Sequence, residues 1–352
     1  MSIPTIDLSL ADSPSTRPQL VATLRKALLE VGFLYITNHG IQPSLIEDLV
    51  AALPTLFSLP IEAKLTAALL NSPHFLGYSR FGSETTASKA DEREQFEFAN
   101  ELPDLFAQGA QPLYTCLQGP NQYPSHPSVA QLASLVQRYI VALQTLAARF
   151  LDLAALALDL APSTLQPFTG PQDRLKLVHY RPSPTVTDEL SQGVGPHKDS
   201  SGWLTFLLQA SPGTRGLQVL DKSGAWLDVP PLEGSLVVNM GQAFEVATNG
   251  VCKATTHRVL LPPGDYNRYS VPFFQGVRPE LTKEAFKALW THFDPEKWET
   301  AESVEGSRID SPFLRGGYVT WGDAQLRTKI RSHRDVGKRW YGEIFDKYVN
   351  DA

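Results

Sequence analysis

Hydrophobic positions fall into two textures along the chain. Up to about residue 170 they recur at helical spacing. Leu20, Leu24 and Leu28 mark one face of a helix over residues 19–31, with Gly32 in the C-cap role. Further helices are predicted over 43–56 and 61–70. Leu135, Tyr139, Leu143 and Leu146 form a stripe that predicts one or two long core helices within 128–160. Only residues 3–8 and 33–37 read as strands in this half. From Arg174 onward the period shortens to that of strands, with segments at 175–180, 204–209, 217–220, 236–239, 257–260 and 269–274. Glycine or proline turns separate most of them, a spacing that predicts a sandwich or barrel. Helices return at 283–290 and 331–348 and are expected to pack on the outside, with the charged run 331–336 structural. No linker divides these textures. One integrated domain is expected, with a mainly helical region (1–170), a β core (171–279) and a C-terminal helical extension (280–352).

Composition narrows the partners. The chain has 352 residues, 42% hydrophobic and 19% charged, with a formal net charge of -6. That balance suits a globular enzyme and argues against nucleic acid or an anionic membrane surface as the main partner. Cys116 and Cys252 are the only cysteines, so no disulfide framework is implied and a cytoplasmic setting is expected. Residues 1–7 lack the pattern of a signal peptide. The apolar stretch 135–160 carries Arg138, Arg149, Asp152 and Asp159 and reads as a core helix, not a membrane span. Nothing requires an assembly, and a monomer is expected.

Candidate chemistry concentrates in two places. His197 and Asp199 stand at i, i+2, and in an extended strand such side chains share a face. A later histidine, His257, could complete a set of two imidazoles and one carboxylate, the facial triad of non-haem Fe(II) oxygenases. An isolated H-x-D is a weak signal. Eleven residues beyond His257, however, Arg268 and Ser270 repeat the same spacing in a β-rich run. An arginine fork beside a hydroxyl suits a carboxylate. Residues 72–103, with Tyr78, Arg80 and Phe81 around a glycine turn, are either a lid or an exposed connection. His39, in a tight turn, reads as structural.

His197-x-Asp199, His257 and Arg268-x-Ser270 resemble the signature of the Fe(II)/2-oxoglutarate-dependent dioxygenases, in their isopenicillin N synthase-like branch. Residues 32–41 (GFLYITNHGI), 57–64 (FSLPIEAK) and Gly77-Tyr78 resemble that branch's motifs in the same order. The resemblance implies a double-stranded β-helix (jelly-roll) core with the iron site in its open end. It implies Fe(II) on His197, Asp199 and His257, 2-oxoglutarate against Arg268, Ser270 and Tyr180, and O2 as the oxidant. The expected product set is succinate, carbon dioxide and an oxidised small molecule of specialised metabolism, by hydroxylation, desaturation, cyclisation or ring rearrangement. It also places residues 72–103 at the mouth of the site, with Tyr78, Arg80, Phe98, Trp203 and Phe274 as candidate substrate walls. Two departures stand out. Val178 occupies the place of an asparagine that helps hold the cosubstrate in many relatives, and residues 197–203 run one residue longer, as a bulge would require. His179 is expected in the core or the pocket wall. Rival readings are an isopenicillin N synthase-type oxidase that dispenses with 2-oxoglutarate, a zinc hydrolase and a non-catalytic binding barrel.

Overall fold

Side-chain alternation along the strands decides what faces the site. The computed structural model describes residues 3–86, 89–181, 191–200, 202–261, 267–294, 297–298, 309 and 311–350. The N-terminal part runs β1 (Thr5–Asp7), α1 (Arg17–Glu30), β2 (Phe33–Thr37), α2 (Pro43–Phe57) and α3 (Ile61–Leu65). Then come β3 (Gly77–Ser79), β4 (Thr85–Thr86), β5 (Lys89–Ala90), β6 (Arg93–Ala99) and the long helix α4 (Leu132–Ala157). The β core follows as β7 (Arg174–Tyr180), β8 (Ser191–His197), β9 (Leu204–Gln209), β10 (Leu217–Leu220) and β11 (Trp226–Asp228). It continues through β12 (Ser235–Met240), α5 (Gln242–Ala247), β13 (His257–Leu261) and β14 (Arg268–Phe274). Among the described residues, five helices close the chain: α6 (Lys283–Trp290), α7 (Pro312–Arg315), α8 (Trp321–Ser332), α9 (Arg334–Trp340) and α10 (Gly342–Val349).

Two sheets face each other as a jelly roll. The larger has the order β1-β2-β12-β9-β14-β7-β6-β3, and the smaller β11-β10-β13-β8. Their apposed faces bury Phe33, Tyr35, Val178, Tyr180, Val194 and Val259. The opposite face of the large sheet carries Phe96, Phe98, Leu175, Phe206 and Phe273, and helices α1, α2 and α4 cover it. All four residues of the predicted α4 stripe are buried, and Phe150 meets Phe206 edge-on at 5.7 Å. By length and composition alone α4 could cross a membrane. Fourteen of its residues are buried in the fold, which explains its apolar character as core packing. Gly32 ends the turn after α1 at φ +72, where a side chain would collide with Thr255 Oγ1.

Several expectations change. The third helix stops at Leu65 instead of reaching residue 70, because Ala67 turns back to accept the Tyr78 N–H. Residues 77–79 and 93–99 are sheet strands, neither lid nor exposed connection. The predicted helix over 331–348 is divided between α9 and α10, and α8 precedes it. The sequence of α8 hides it: Trp321, Ala324, Leu326 and Ile330 are buried, whereas its polar face looks inward over a cavity instead of outward. Ser201, within the stretch 197–203 expected to bulge, lies outside the described residues. Register irregularities lie in the β8–β13 pairing.

Leu143→Ala removes a fully buried side chain from the α4 stripe. It should cost about 2–5 kcal/mol in urea unfolding. A loss below about 1 kcal/mol would show that this stripe is not core.

Candidate active site

The register brings the chemistry to one end of the roll. His197 ends β8, His257 begins β13, and the two are direct partners across that pair, their rings 4.3 Å apart. Asp199 lies two residues past the end of β8, so the shared strand face expected from the i, i+2 spacing is not what aims it. Its backbone carbonyl accepts the Gln242 N–H at 2.8 Å. Its Oδ2 accepts Thr205 Oγ1 at 2.6 Å and Asn239 Nδ2 at 2.7 Å. Gly241 permits this close approach, since a Cβ there would collide with the Gly202 carbonyl. Thr205 and Asn239 are themselves partners across β9 and β12, so the large sheet holds one oxygen while Oδ1 faces the histidines.

The histidines are oriented in the same manner. His197 Nδ1 lies 2.8 Å from the Gly195 carbonyl, and His257 Nδ1 lies 3.1 Å from that of Thr255. A carbonyl only accepts, so each Nδ1 carries a proton and each Nε2 is turned towards Asp199. Those two Nε2 atoms are 3.8 and 3.6 Å from Asp199 Oδ1. Among the described residues this is the group of three whose ligand atoms all fall within 4.8 Å. Burial and the neighbouring His257 push the His197 pKa down, which keeps the imidazole neutral. Burial alone would raise the Asp199 carboxyl, but the imidazoles, Thr205 and Asn239 outweigh it and hold the group below its ordinary value. Two imidazole nitrogens and one carboxylate oxygen fit a divalent iron site.

Across the same cavity, three strands align a second group. Arg93, Tyr180 and Arg268 form one register row over β6, β7 and β14; Gln95, Val178 and Ser270 form the next. Arg268 is 2% exposed, its guanidinium 4.8 Å from the Tyr180 ring, and its Nη1 has no hydrogen-bond partner. Burial pushes its pKa down, opposed by its hydrogen bond to Tyr180. No carboxylate among the described residues pairs with it. Val178 fills the register position next to Ser270 with an apolar side chain.

The cavity holds about 230 Å³. Of the candidate substrate walls, only Phe274 lines it. Tyr78 and Phe98 lie on the helix-covered face: the Tyr78 hydroxyl donates to Glu94, and Phe98 stacks on Phe96 and Tyr123. Trp203 is packed between Phe168 and Phe244, and Arg80 is exposed. His179 sits on the same far face, between Glu94 and Asn267. His39 accepts the Ile41 N–H and is a turn residue. In their place the structure supplies Arg93 and Glu97 from β6, Arg174 and Lys176 from β7, Glu84, and Lys329 from α8. The alternation in β6 was the available signal: Arg93, Gln95 and Glu97 are polar at every second position opposite Phe96 and Phe98.

Known proteins agree with this geometry. Residues 3–126 match the family described as non-haem dioxygenase in morphine synthesis N-terminal, and residues 171–277 match the 2OG-Fe(II) oxygenase superfamily. The 2-oxoglutarate-dependent dioxygenase frbJ of Dothideomycetidae sp. (strain 11243) is 41% identical over 97% of this chain and 93% of its own. The chain belongs to the Fe(II)/2-oxoglutarate-dependent dioxygenases. A 2-oxoglutarate-dependent dioxygenase of Gibberella zeae is 38% identical over 97% of this chain and 92% of that one. A solved 2OG-Fe(II) oxygenase family protein from Caulobacter crescentus shares the fold at TM-score 0.71 with 24% identity, covering 94% of this chain and 98% of that one. The dioxygenase therefore uses Fe(II), 2-oxoglutarate and O2, and the reading as an oxidase without 2-oxoglutarate gives way.

Two tests follow from the site. Asn239→Ala frees Asp199 Oδ2 from one donor and should weaken Fe(II) binding by about 10–100-fold in a competitive chelator titration; unchanged affinity would remove Asn239 from the site's support. Glu97 has a depressed pKa: burial would raise it, but Lys329, Lys176 and Arg174 overcome that. A carboxyl lowered in the folded state adds stability above the ordinary glutamate range and loses it as pH falls below 4.5. Thermal unfolding of Glu97→Gln should thus vary less with pH below that point than the wild type. A wild-type melting temperature that stays flat down to about pH 3 would contradict it.

Proposed function

We propose that His197, Asp199 and His257 hold the Fe(II) and that Arg268, with Ser270 and Tyr180, holds the distal carboxylate of 2-oxoglutarate. The observation that carries this reading is the buried Arg268 guanidinium, whose Nη1 has no hydrogen-bond partner and with which no carboxylate among the described residues pairs, in one cavity with the convergent triad. A buried cation without a counter-charge costs several kcal/mol unless a ligand anion offsets it. Bound Fe(II), with O2 and 2-oxoglutarate, supplies the oxidising power, while the cosubstrate is converted to succinate and carbon dioxide. The protein's own share is orientation and exclusion. The Gly195 and Thr255 carbonyls fix both imidazoles, Thr205 and Asn239 fix the carboxylate, and Phe33 packs 5.2 Å from the His257 ring. Apolar Val194, Leu207 and Val259 line the same cavity. Val178 removes one polar partner for the cosubstrate and leaves Arg268 and Tyr180 to carry more of its binding. The fungal relatives and the small cavity support a small molecule of specialised metabolism as the substrate.

Anaerobic addition of Fe(II) and then 2-oxoglutarate should raise a visible iron-to-keto-acid absorption band. Arg268→Ala should need about 10–100-fold more 2-oxoglutarate to reach half its intensity, as loss of charge-assisted hydrogen bonds implies. His197→Ala should abolish the band. An Arg268→Ala titration that overlays the wild type would overturn the clamp, and full iron uptake without His257 would overturn the triad.

A further inference from the structure

Beyond the metal and the clamp, the cavity has a charged wall, built where β6 and β7 meet α8. Arg93, Arg174, Lys176 and Lys329 line it against the carboxylates of Glu84 and Glu97. Asp91, behind Arg93 at 3.3 Å, adds a third negative charge. One positive charge is left over. The cations are not used alike. Arg174 is fully engaged, donating to Glu97, to the carbonyls of His74, Phe75 and Leu117, and to Gln172. Arg93 pairs with Glu84 at 2.6 Å, and Glu84 also takes His333 Nε2. Among the described residues Lys329 makes a single hydrogen bond, to Glu97 Oε1. Lys176 makes none among the described residues; its nearest carboxylate oxygen, Glu97 Oε2, is 3.7 Å away. Both ammonium groups are largely buried, with 16% and 12% of their side chains exposed.

Ammonium groups taken from water need partners for their N–H donors, and surplus cations need an anion. We infer that the substrate carries a carboxylate, or another oxyanion of single charge, seated on Lys176 and Lys329 between β7 and α8. This rests on the cavity being the active site, and it deepens that reading. The position separates the two anions the enzyme must hold. Arg268 shares its register row with Arg93, whereas Lys176 stands opposite Glu97, two rows further along β7. Glu97 Oε2, buried and without a hydrogen-bond partner, is placed to accept a donor next to the substrate's anionic group.

Benzoate and benzamide, matched in shape and different in charge, serve as probes. They are titrated calorimetrically into the full-length protein preloaded anaerobically with Fe(II) and 2-oxoglutarate, so that the Arg268 site is occupied. Benzoate should bind at least about tenfold tighter than benzamide, and Lys176→Met and Lys329→Met should each erase most of that preference. Lys329→Arg, which keeps the charge, should restore it. The iron–cosubstrate band, unchanged in intensity and 2-oxoglutarate dependence, reports that each variant is folded and loaded. Equal or undetectable binding of the two probes, or a preference that survives both methionine variants, overturns the inference. Failure of the wild type to form the band at all would instead strike the assignment of the metal and cosubstrate residues.

Discussion

The Asp199 carboxylate is the joint on which the site depends. One oxygen is fixed by Thr205 and Asn239 of the large sheet, while the other faces two imidazoles carried by the small one. Its position is therefore a measure of how the sheets are spaced. The row Arg174, Phe274, Thr205, Asn239, Phe33 crosses five strands of the large sheet and ends beneath the metal ligands. A shift of one residue in any of those pairings would turn the supporting donors to the opposite face. The apolar packing of α4 on the far face keeps that register from slipping.

Electrostatics then divides the cavity into regions of different character. At the proposed metal site, two imidazoles converge on a carboxylate that is kept ionised, a combination that favours a divalent cation. At Arg268 the balance is incomplete, with a buried guanidinium and no acidic neighbour among the described residues. Along β6, β7 and α8 the charges are dense and largely compensated, with Glu97 as the common acceptor. Such a network is costly to bury and rigid once satisfied. It keeps this wall of the cavity polar.

Much of this was legible in the sequence because the relevant signals are short-range. Strand limits at 204–209, 217–220 and 33–37 coincide with β9, β10 and β2, since alternation and turn residues act locally. The triad and Arg268-x-Ser270 were visible as residue types at fixed spacing. The substrate walls were not. Tyr78, Phe98 and Trp203 are aromatics near the motifs, but the parity of β3 and β6 sends the first two into the helix-covered core, and Trp203 packs there between Phe168 and Phe244. The charged wall depends on register between β6 and β7 and on where α8 lands, both long-range outcomes. In the sequence α8 looks like a solvent-facing segment, because its polar side meets a cavity lined with ions.

The placement of Lys329 separates two kinds of information along the chain. Residues 180–270 carry the proposed metal ligands and clamp, whereas Lys329, in the wall proposed to meet the substrate, comes from a helix more than fifty residues later. Changes in α8 can reshape what is accepted while the oxidising centre stays intact. Selectivity in this enzyme is thus free to drift in its C-terminal helices at little risk to its chemistry, provided the contact with Glu97 is kept or replaced.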